Sequence, residues 1–98
     1  MIIRIVKMTF RPEECVSFET LFNTVKNHIA AFDGCIHLAL WRDTRDANVY
    51  FTNSEWQSAE HLEQYRNSSL FKDTWTQTKA LFAEKAQAWS VEEKERVK

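Results

Sequence analysis

The sequence predicts an α+β fold in which a four-stranded antiparallel sheet carries its helices on one face. Two observations predict it: β-branched and aromatic residues gather in four short stretches, and apolar residues recur at helical spacing in two longer ones. Their order is strand, helix, strand, strand, helix, strand, which is the ferredoxin-like arrangement. A chain of 98 residues suits one core, so we expect a single domain over residues 1–98, with a charged tail at 92–98 that frays.

The first strand and the first helix come before the only glycine of the chain. Ile2–Phe10 is rich in β-branched residues, as strands are. Pro12 suits the first position of a helix, and the carboxylates of Glu13 and Glu14 suit its first turn. The apolar stripe of this helix comprises Phe18, Leu21, Phe22, Val25, Ile29 and Phe32. Gly34 stands where a left-handed C-terminal cap is needed, so the helix should end there.

A hairpin and a second helical region follow. Cys35–Arg42 and Val49–Trp56 flank a polar turn and should pair as neighbouring strands. Ser58 can cap a short helix that extends to about Arg66, and the polar residues that follow can cap another. The stripe of this later helix comprises Leu70, Phe71, Thr74, Trp75, Thr78, Leu81 and Phe82. Ala86–Val91 should form the last strand.

The strands carry apolar residues on both faces, although a sheet face in water is normally polar. In the first strand Ile3 and Ile5 alternate with Ile2, Val6 and Met8. The second strand is interpreted as pointing Ile36, Leu38 and Leu40 toward the helices and Cys35, His37, Ala39 and Trp41 away from them. The third strand places Tyr50 and Trp56 on one face and Val49 and Phe51 on the other. We therefore expect a second copy of the chain to cover the open face, giving a homodimer.

The composition excludes several classes of protein. With 13 basic and 14 acidic residues the chain lacks the positive stripe that a nucleic-acid partner needs. A single glycine cannot build a phosphate-binding loop, so no NAD, FAD or nucleotide site is expected. No set of His, Cys, Asp and Glu has metal-ligand spacing, so we expect no metal. No leader or membrane-spanning stretch is evident, and Cys15 and Cys35 are interpreted as reduced thiols of a cytoplasmic protein rather than as a disulfide.

Several local phrases occur in an order and spacing typical of one family. They are Arg11-Pro12-Glu13, Phe32-Asp33-Gly34-Cys35, Trp56-Gln57-Ser58, and Tyr65-Arg66-Asn67-Ser68 before Leu70-Phe71. Through them nearly the whole chain resembles the antibiotic biosynthesis monooxygenase family of the dimeric α/β-barrel superfamily. The resemblance implies a homodimer with sheets packed face to face and a substrate pocket between sheet and helices. Several members of that family oxidise electron-rich aromatic compounds with O₂ and no metal or flavin, and others cleave haem.

The haem-cleaving branch of that family is disfavoured at three positions. Those relatives carry an Asn, a Trp and a His where this chain aligns Val6, Tyr65 and Trp75. A haem iron needs an axial ligand, and an indole at Trp75 supplies none. We therefore expect no cofactor.

Four residues are candidates for catalysis. His37 could remove a phenolic proton, although an interface histidine is the plainer interpretation. Asn53 could donate to a developing oxyanion, although an Asn within a strand is more often structural. Tyr65 and Trp75 sit on the apolar stripes of two helical segments, so both rings should line one cavity between helices and sheet, either as core residues or around a flat substrate.

Three further residues are candidates for substrate binding. They are Trp56 and Phe71, which offer aromatic surface, and Arg66, which could hold an anion or simply cover a helix end. The expected function is therefore a cofactor-independent monooxygenase acting on a small aromatic or quinol-like compound. The alternative is a non-catalytic dimeric module that binds a small molecule or serves a structural role. A titratable group facing an enclosed pocket would favour the enzyme.

Overall fold

The computed structural model describes residues 1–98 and confirms the α+β, ferredoxin-like fold. Its elements are β1 (Ile2–Thr9), α1 (Cys15–Ala30), β2 (Cys35–Arg42), β3 (Val49–Trp56), α2 (Ala59–Arg66), α3 (Ser69–Lys79) and β4 (Gln87–Val91). One 3₁₀ turn at Pro12–Glu14 leads into α1, so the proline starts that turn rather than the α-helix itself. The sheet has the order β2-β3-β1-β4, and every neighbouring pair is antiparallel.

The predicted helix caps account for the break between α2 and α3. The hydroxyl oxygen of Ser58 accepts a hydrogen bond from the backbone N–H of His61 at 3.2 Å, and that of Ser68 accepts one from Phe71 at 3.1 Å. Each cap satisfies one of the donors that a helix start leaves free. Each of the two short helices therefore begins directly after its capping serine. Helix α2 ends at Arg66.

Gly34 holds the start of β2 against α2. Its φ is +86°, a region that favours glycine, and a Cβ at this position would lie 2.3 Å from the His61 side chain. The Gly34 carbonyl also accepts a hydrogen bond of 2.9 Å from the backbone N–H of Gln57. The only glycine thus serves both a left-handed turn and a close contact between elements.

The core at one end of the molecule is filled by aromatic rings. Phe10 is fully buried and stacks on Phe18 with a centroid distance of 4.2 Å, and Tyr50 meets both rings edge-on. We call Phe10, Phe18 and Tyr50 the packed end. The Tyr50 hydroxyl donates to the Glu19 carboxylate at 2.5 Å. Burial and this hydrogen bond raise the pKa of Tyr50 to about 12.

A bulge at the start of β2 corrects the predicted faces of that strand. Cys35 lies opposite Trp56 and His37 lies opposite Glu55, so Ile36 is an extra residue between two pairs. The prediction that Ile36 points toward the helices is therefore wrong, and its side chain is 53 % exposed. Cys35 shares the helix-covered face with Trp56, whereas it was expected on the open face.

Beyond the bulge the alternation holds. Leu38 and Leu40 face the helices, paired with Ser54 and Thr52 of β3. The opposite surface, which we call the open face, carries exposed apolar side chains, among them Trp41, Trp89 and Val91. None of the helices combines the length and the apolar character that crossing a membrane requires. Both cysteines are free thiols.

Candidate functional site

A cavity of about 250 Å³ lies between the helix-covered face of the sheet and the helices. Most of its wall is apolar. The lining residues are Arg4, Val6, Met8, Phe18, Phe22, Ile29, Leu38, Thr52, Ser54, Leu62, Tyr65, Arg66, Phe71, Thr74, Trp75, Thr78, Ala86 and Ala88. The cavity begins where the packed end stops, since Phe18 belongs to both.

Tyr65 is held in the wall of this cavity by other aromatic rings. Its ring stacks on Trp56 with a centroid distance of 4.8 Å and meets Phe71 edge-on at 5.3 Å. No protein group forms a hydrogen bond with its hydroxyl, and that oxygen keeps accessible surface in a residue that lines the cavity. Burial, and secondarily the nearby Cys35 thiol, raise the pKa of Tyr65. The phenol therefore stays protonated at neutral pH and can donate a hydrogen bond to a ligand.

Ser54 supplies a second donor, one that was not predicted from the sequence. The Trp56 indole N–H donates to the Ser54 hydroxyl oxygen at 2.9 Å. With its oxygen accepting from the indole, the hydroxyl proton of this buried serine can be donated elsewhere. Thr52 lines the same wall two residues earlier. A partial signal was available, since Thr52 and Ser54 stand between Tyr50 and Trp56 on the strand face that these two aromatic residues share.

Trp75 closes the side of the cavity nearest α3. Its indole lies nearly parallel to the Phe71 ring at 5.9 Å and meets Phe82 edge-on at 5.6 Å. Phe82 in turn contacts Phe10 at 5.4 Å. Aromatic contacts therefore run without a break from the cavity wall into the packed end, and they fix the plane against which a flat ligand could stack.

Two arginines line the cavity, and no other charged residue does. Arg4 projects from β1 and donates to the Ser90 hydroxyl at 3.0 Å, while Arg66 at the end of α2 lies 3.7 Å from the Glu63 carboxylate. Burial, and next the charge of Arg66, lower the pKa of Arg4. The wall holds no carboxylate or imidazole, so this chain places no conventional general base in the cavity.

The structure brings together only some of the predicted site residues. Tyr65, Arg66, Phe71 and Trp75 all line the cavity, as the helical spacing predicts for Tyr65 and Trp75. Trp56 is fully buried and does not line the cavity, but its ring stacks on Tyr65 and so supports the cavity wall from behind.

His37 and Asn53 lie on the other side of the sheet. Their strand partners are Glu55 for His37, and Ile5 and Ala39 for Asn53, all on the open face. Neither side chain can reach a ligand in the cavity, so the general-base and oxyanion roles considered for them do not apply there. No group of three or more His, Cys, Asp or Glu residues in the structure could hold a metal ion.

Comparison with known protein families finds one family model that matches most of the chain. A family model described as antibiotic biosynthesis monooxygenase matches residues 1–77. That range includes β1, the packed end, and the four helix residues Tyr65, Arg66, Phe71 and Trp75 of the cavity. No curated protein matches the sequence.

Solved structures match the fold over nearly its whole length. A conserved protein from Methanosarcina mazei Go1 has a TM-score of 0.89 at 20 % identity, covering 96 % of this chain and 94 % of that one. Rv0793 from Mycobacterium tuberculosis has a TM-score of 0.89 at 15 % identity, covering 99 % and 98 %. SnoaB, a cofactor-independent oxygenase from Streptomyces nogalater, has a TM-score of 0.87 at 16 % identity, covering 98 % and 95 %. At these identities the likeness establishes the fold alone.

Proposed function

The chain belongs to the antibiotic biosynthesis monooxygenase family, and from that premise we propose that it is a cofactor-independent monooxygenase that uses O₂ to oxidise a small, electron-rich aromatic or quinol-like compound. The observation that carries the proposal is the Tyr65 hydroxyl, which has no protein partner and stands in the wall of an aromatic cavity. Because no protein group accepts the proton of this accessible hydroxyl, it is available to a ligand that enters the cavity.

The volume of the cavity supports a small substrate. A cavity of about 150 Å³ accommodates benzene, and pockets for drug-sized ligands begin at about 300 Å³. At about 250 Å³ this cavity suits one or two fused aromatic rings. The parallel Phe71 and Trp75 rings give such a ligand a flat surface to stack on.

The chemistry can proceed from the substrate's own hydroxyl. Tyr65 and Ser54 donate hydrogen bonds to the substrate oxygen and stabilise its ionised form. The electron-rich anion passes one electron to O₂, and the ring radical and superoxide combine into a peroxide at a ring carbon. The peroxide takes up a proton from water, and its O–O bond breaks as the ring C–H proton leaves, which releases one water and forms a carbonyl at that carbon. Phenol-type substrate and O₂ thus give quinone and water, with one atom of O₂ in the quinone and the other in the water.

The first proton has no carboxylate or imidazole to receive it in the cavity, so it leaves to water. Consequently the rate should rise with pH along the ionisation of the substrate hydroxyl. A series of substrates with different hydroxyl pKa values should show matching shifts in the pH–rate profile. If the rate instead rose at the same pH for every substrate, a basic group of the protein would be the proton acceptor.

The proposal includes a homodimer formed through the open face. Trp41, Trp89 and Val91 expose 48 %, 45 % and 42 % of their surface there, which is unusual for apolar side chains on one face of a sheet. A stable interface of this kind buries more than about 1,000 Å² in total. Light scattering at micromolar concentration should give twice the mass of the chain, and a monomer would contradict this part of the proposal.

Oxygen consumption tests the activity directly. Purified protein is mixed with a panel of hydroquinones and dihydroxynaphthalenes while O₂ uptake and quinone absorbance are followed. We expect Tyr65→Phe to slow turnover about tenfold or more, as loss of one oxyanion donor does. Tyr50→Phe is the matched control, since it makes the same change at the packed end and should leave turnover close to the wild type.

The lack of a general base in the cavity also favours a second candidate, a dimeric module that binds a small aromatic compound without turnover. The two functions differ in one measurable respect. A compound that binds in the cavity and is protected by it from O₂ would support the binding module. Protein-dependent O₂ uptake that needs the Tyr65 hydroxyl would support the enzyme.

A further inference from the structure

Arg4 is a partly buried arginine in the cavity wall that has no carboxylate partner. It stands in the same row of β1 as Val6 and Met8, on the face that packs against the helices. The aliphatic part of its side chain lies along this apolar row, while its guanidinium reaches the surface. The side-chain partner of Arg4 is the neutral hydroxyl of Ser90, 3.0 Å away.

A second guanidinium lies near the first. Arg66 reaches the same cavity from the end of α2, and its positive charge adds to the larger effect of burial in lowering the pKa of Arg4. The carboxylate beside Arg66 belongs to Glu63, which is exposed on the same helix and does not line the cavity. Two like charges therefore face a space whose wall contains no negative group, an arrangement that an anion would stabilise.

We propose that Arg4 and Arg66 form a subsite for a carboxylate, and that the ligand of this cavity is an aromatic acid. A guanidinium presents its N–H groups as a planar fork that matches the two oxygens of a carboxylate. The stacking surface of Phe71 and Trp75 then holds the ring, and the arginines fix which edge of the ring points toward β1. This inference rests on the proposed function only for the aromatic nature of the ligand.

Calorimetric titration with a matched pair of compounds tests the subsite without any turnover. The probes are 1-hydroxy-2-naphthoate and its primary amide, which share the ring and the hydroxyl and differ in charge. Salicylate and salicylamide repeat the comparison with one ring. In the absence of O₂ we expect an acid to bind about tenfold more tightly than its amide, with the difference shrinking at high salt. Equal affinity of acid and amide, or no binding of either acid, would overturn the proposal.

Substitutions locate the effect. Arg4→Gln and Arg66→Gln should each weaken binding of the acid by about tenfold and leave the amide nearly unchanged. Arg66 is exposed at a helix end, so its variant should fold even if that of Arg4 does not. Arg96→Gln is the matched control, because that side chain pairs with Glu93 in the tail. An equal loss for acid and amide in both cavity variants would show that the arginines shape the cavity without binding a carboxylate.

The subsite and the oxygenase proposal can fail separately. If acids bind as described but no compound supports O₂ uptake, the carboxylate subsite holds and the monooxygenase does not. If neutral quinols are oxidised while acid and amide bind alike, the monooxygenase holds and the subsite does not.

Discussion

The two tyrosines of the chain stand at opposite ends of the layer between helices and sheet, and they differ in one respect. At the packed end the Tyr50 hydroxyl donates to Glu19, and its ring is enclosed by Phe10 and Phe18. In the cavity the Tyr65 ring is stacked just as firmly on Trp56, yet its hydroxyl has no protein partner. Ring packing is therefore common to both ends, and the unpaired polar group distinguishes the cavity.

The difference shows how the same residue types serve stability in one place and a candidate site in another. Burial raises the pKa of both phenols, so a shifted pKa alone would not separate them. The bonding partner does separate them, because a satisfied hydroxyl gains nothing from a ligand whereas a free one does. Substitutions at the two ends should accordingly have opposite effects on folding and on binding.

The largest effect on stability should come from Phe10→Ala at the packed end. Truncating this fully buried ring should lower the free energy of unfolding by about 3–5 kcal/mol, since the cavity left behind cannot close. Trp75→Ala should cost less, because one side of that indole already faces empty space. Urea denaturation of both variants measures the difference, and equal losses would mean that the cavity wall is packed as tightly as the core.

Gly34→Ala should have the next largest effect, because it strains the contact between β2 and α2. The added methyl meets the His61 ring, and the backbone must keep a positive φ, which together should cost roughly 2–4 kcal/mol. Thermal melts of Gly34→Ala alone and combined with His61→Gly, each compared with the variant that keeps Gly34, separate the two causes, because the His61 Cβ itself would lie 2.4 Å from the new methyl. The double variant should recover the steric part only, and full recovery would show that the backbone conformation carries no cost.

Removing the hydroxyl of each tyrosine should have smaller effects on stability, but these effects compare the two ends directly. Tyr50→Phe removes a hydrogen bond to a carboxylate and should cost about 1–2 kcal/mol of stability without changing ligand affinity. Tyr65→Phe removes no protein–protein hydrogen bond, so stability should stay within about 0.5 kcal/mol of the wild type while affinity for hydroxylated aromatic compounds falls. An equal loss of stability in both variants would contradict the prediction that only the Tyr50 hydroxyl has a stabilising protein partner.

The last predicted effect is confined to the alkaline range. The pKa of Tyr50 is near 10 in an unfolded chain and about 12 in the folded protein. The unfolded state therefore loses this proton at a lower pH than the folded state does. The contribution to stability is complete below pH 10 and is lost between pH 10 and about 12. In that window Tyr50→Phe should lose stability less steeply than the wild type, as measured by denaturation at successive pH values. Parallel curves would mean that another group governs alkaline unfolding.

Sequence reasoning located the elements because local signals determine them. Ser58, Ser68 and Gly34 mark helix boundaries through hydrogen bonds and backbone conformation that involve only neighbouring residues. Counting alternate residues in β2 gave the wrong face for Ile36, because a β-bulge adds one residue there and the amino-acid composition does not reveal it. One shifted position was enough to exchange the assigned faces of Cys35 and Ile36.

The site was only half predictable. Tyr65 and Trp75 follow from helical spacing, which a single sequence displays. Arg4 and Ser54 could be recognised only once β1 and β3 were known to lie side by side under the helices, because alternation groups the residues of a strand by face without saying which face the helices cover. His37 was attractive as a base by chemical type, but its pairing with Glu55 places it on the other face of the sheet.

The strand order has a consequence for how the chain folds during synthesis. β1 is made before the other strands and lies inside the sheet, between β3 and β4, and its Ile3 pairs with Val91, which is far away in the sequence. When the ribosome has released residues up to Trp56, β1 can pair with β3, but its other edge still lacks its hydrogen-bonding neighbour. That unpaired central edge persists until β4 emerges, and it is the kind of edge that attracts foreign strands. Completion of this sheet is therefore a late, long-range event, which contacts of large sequence separation make slow.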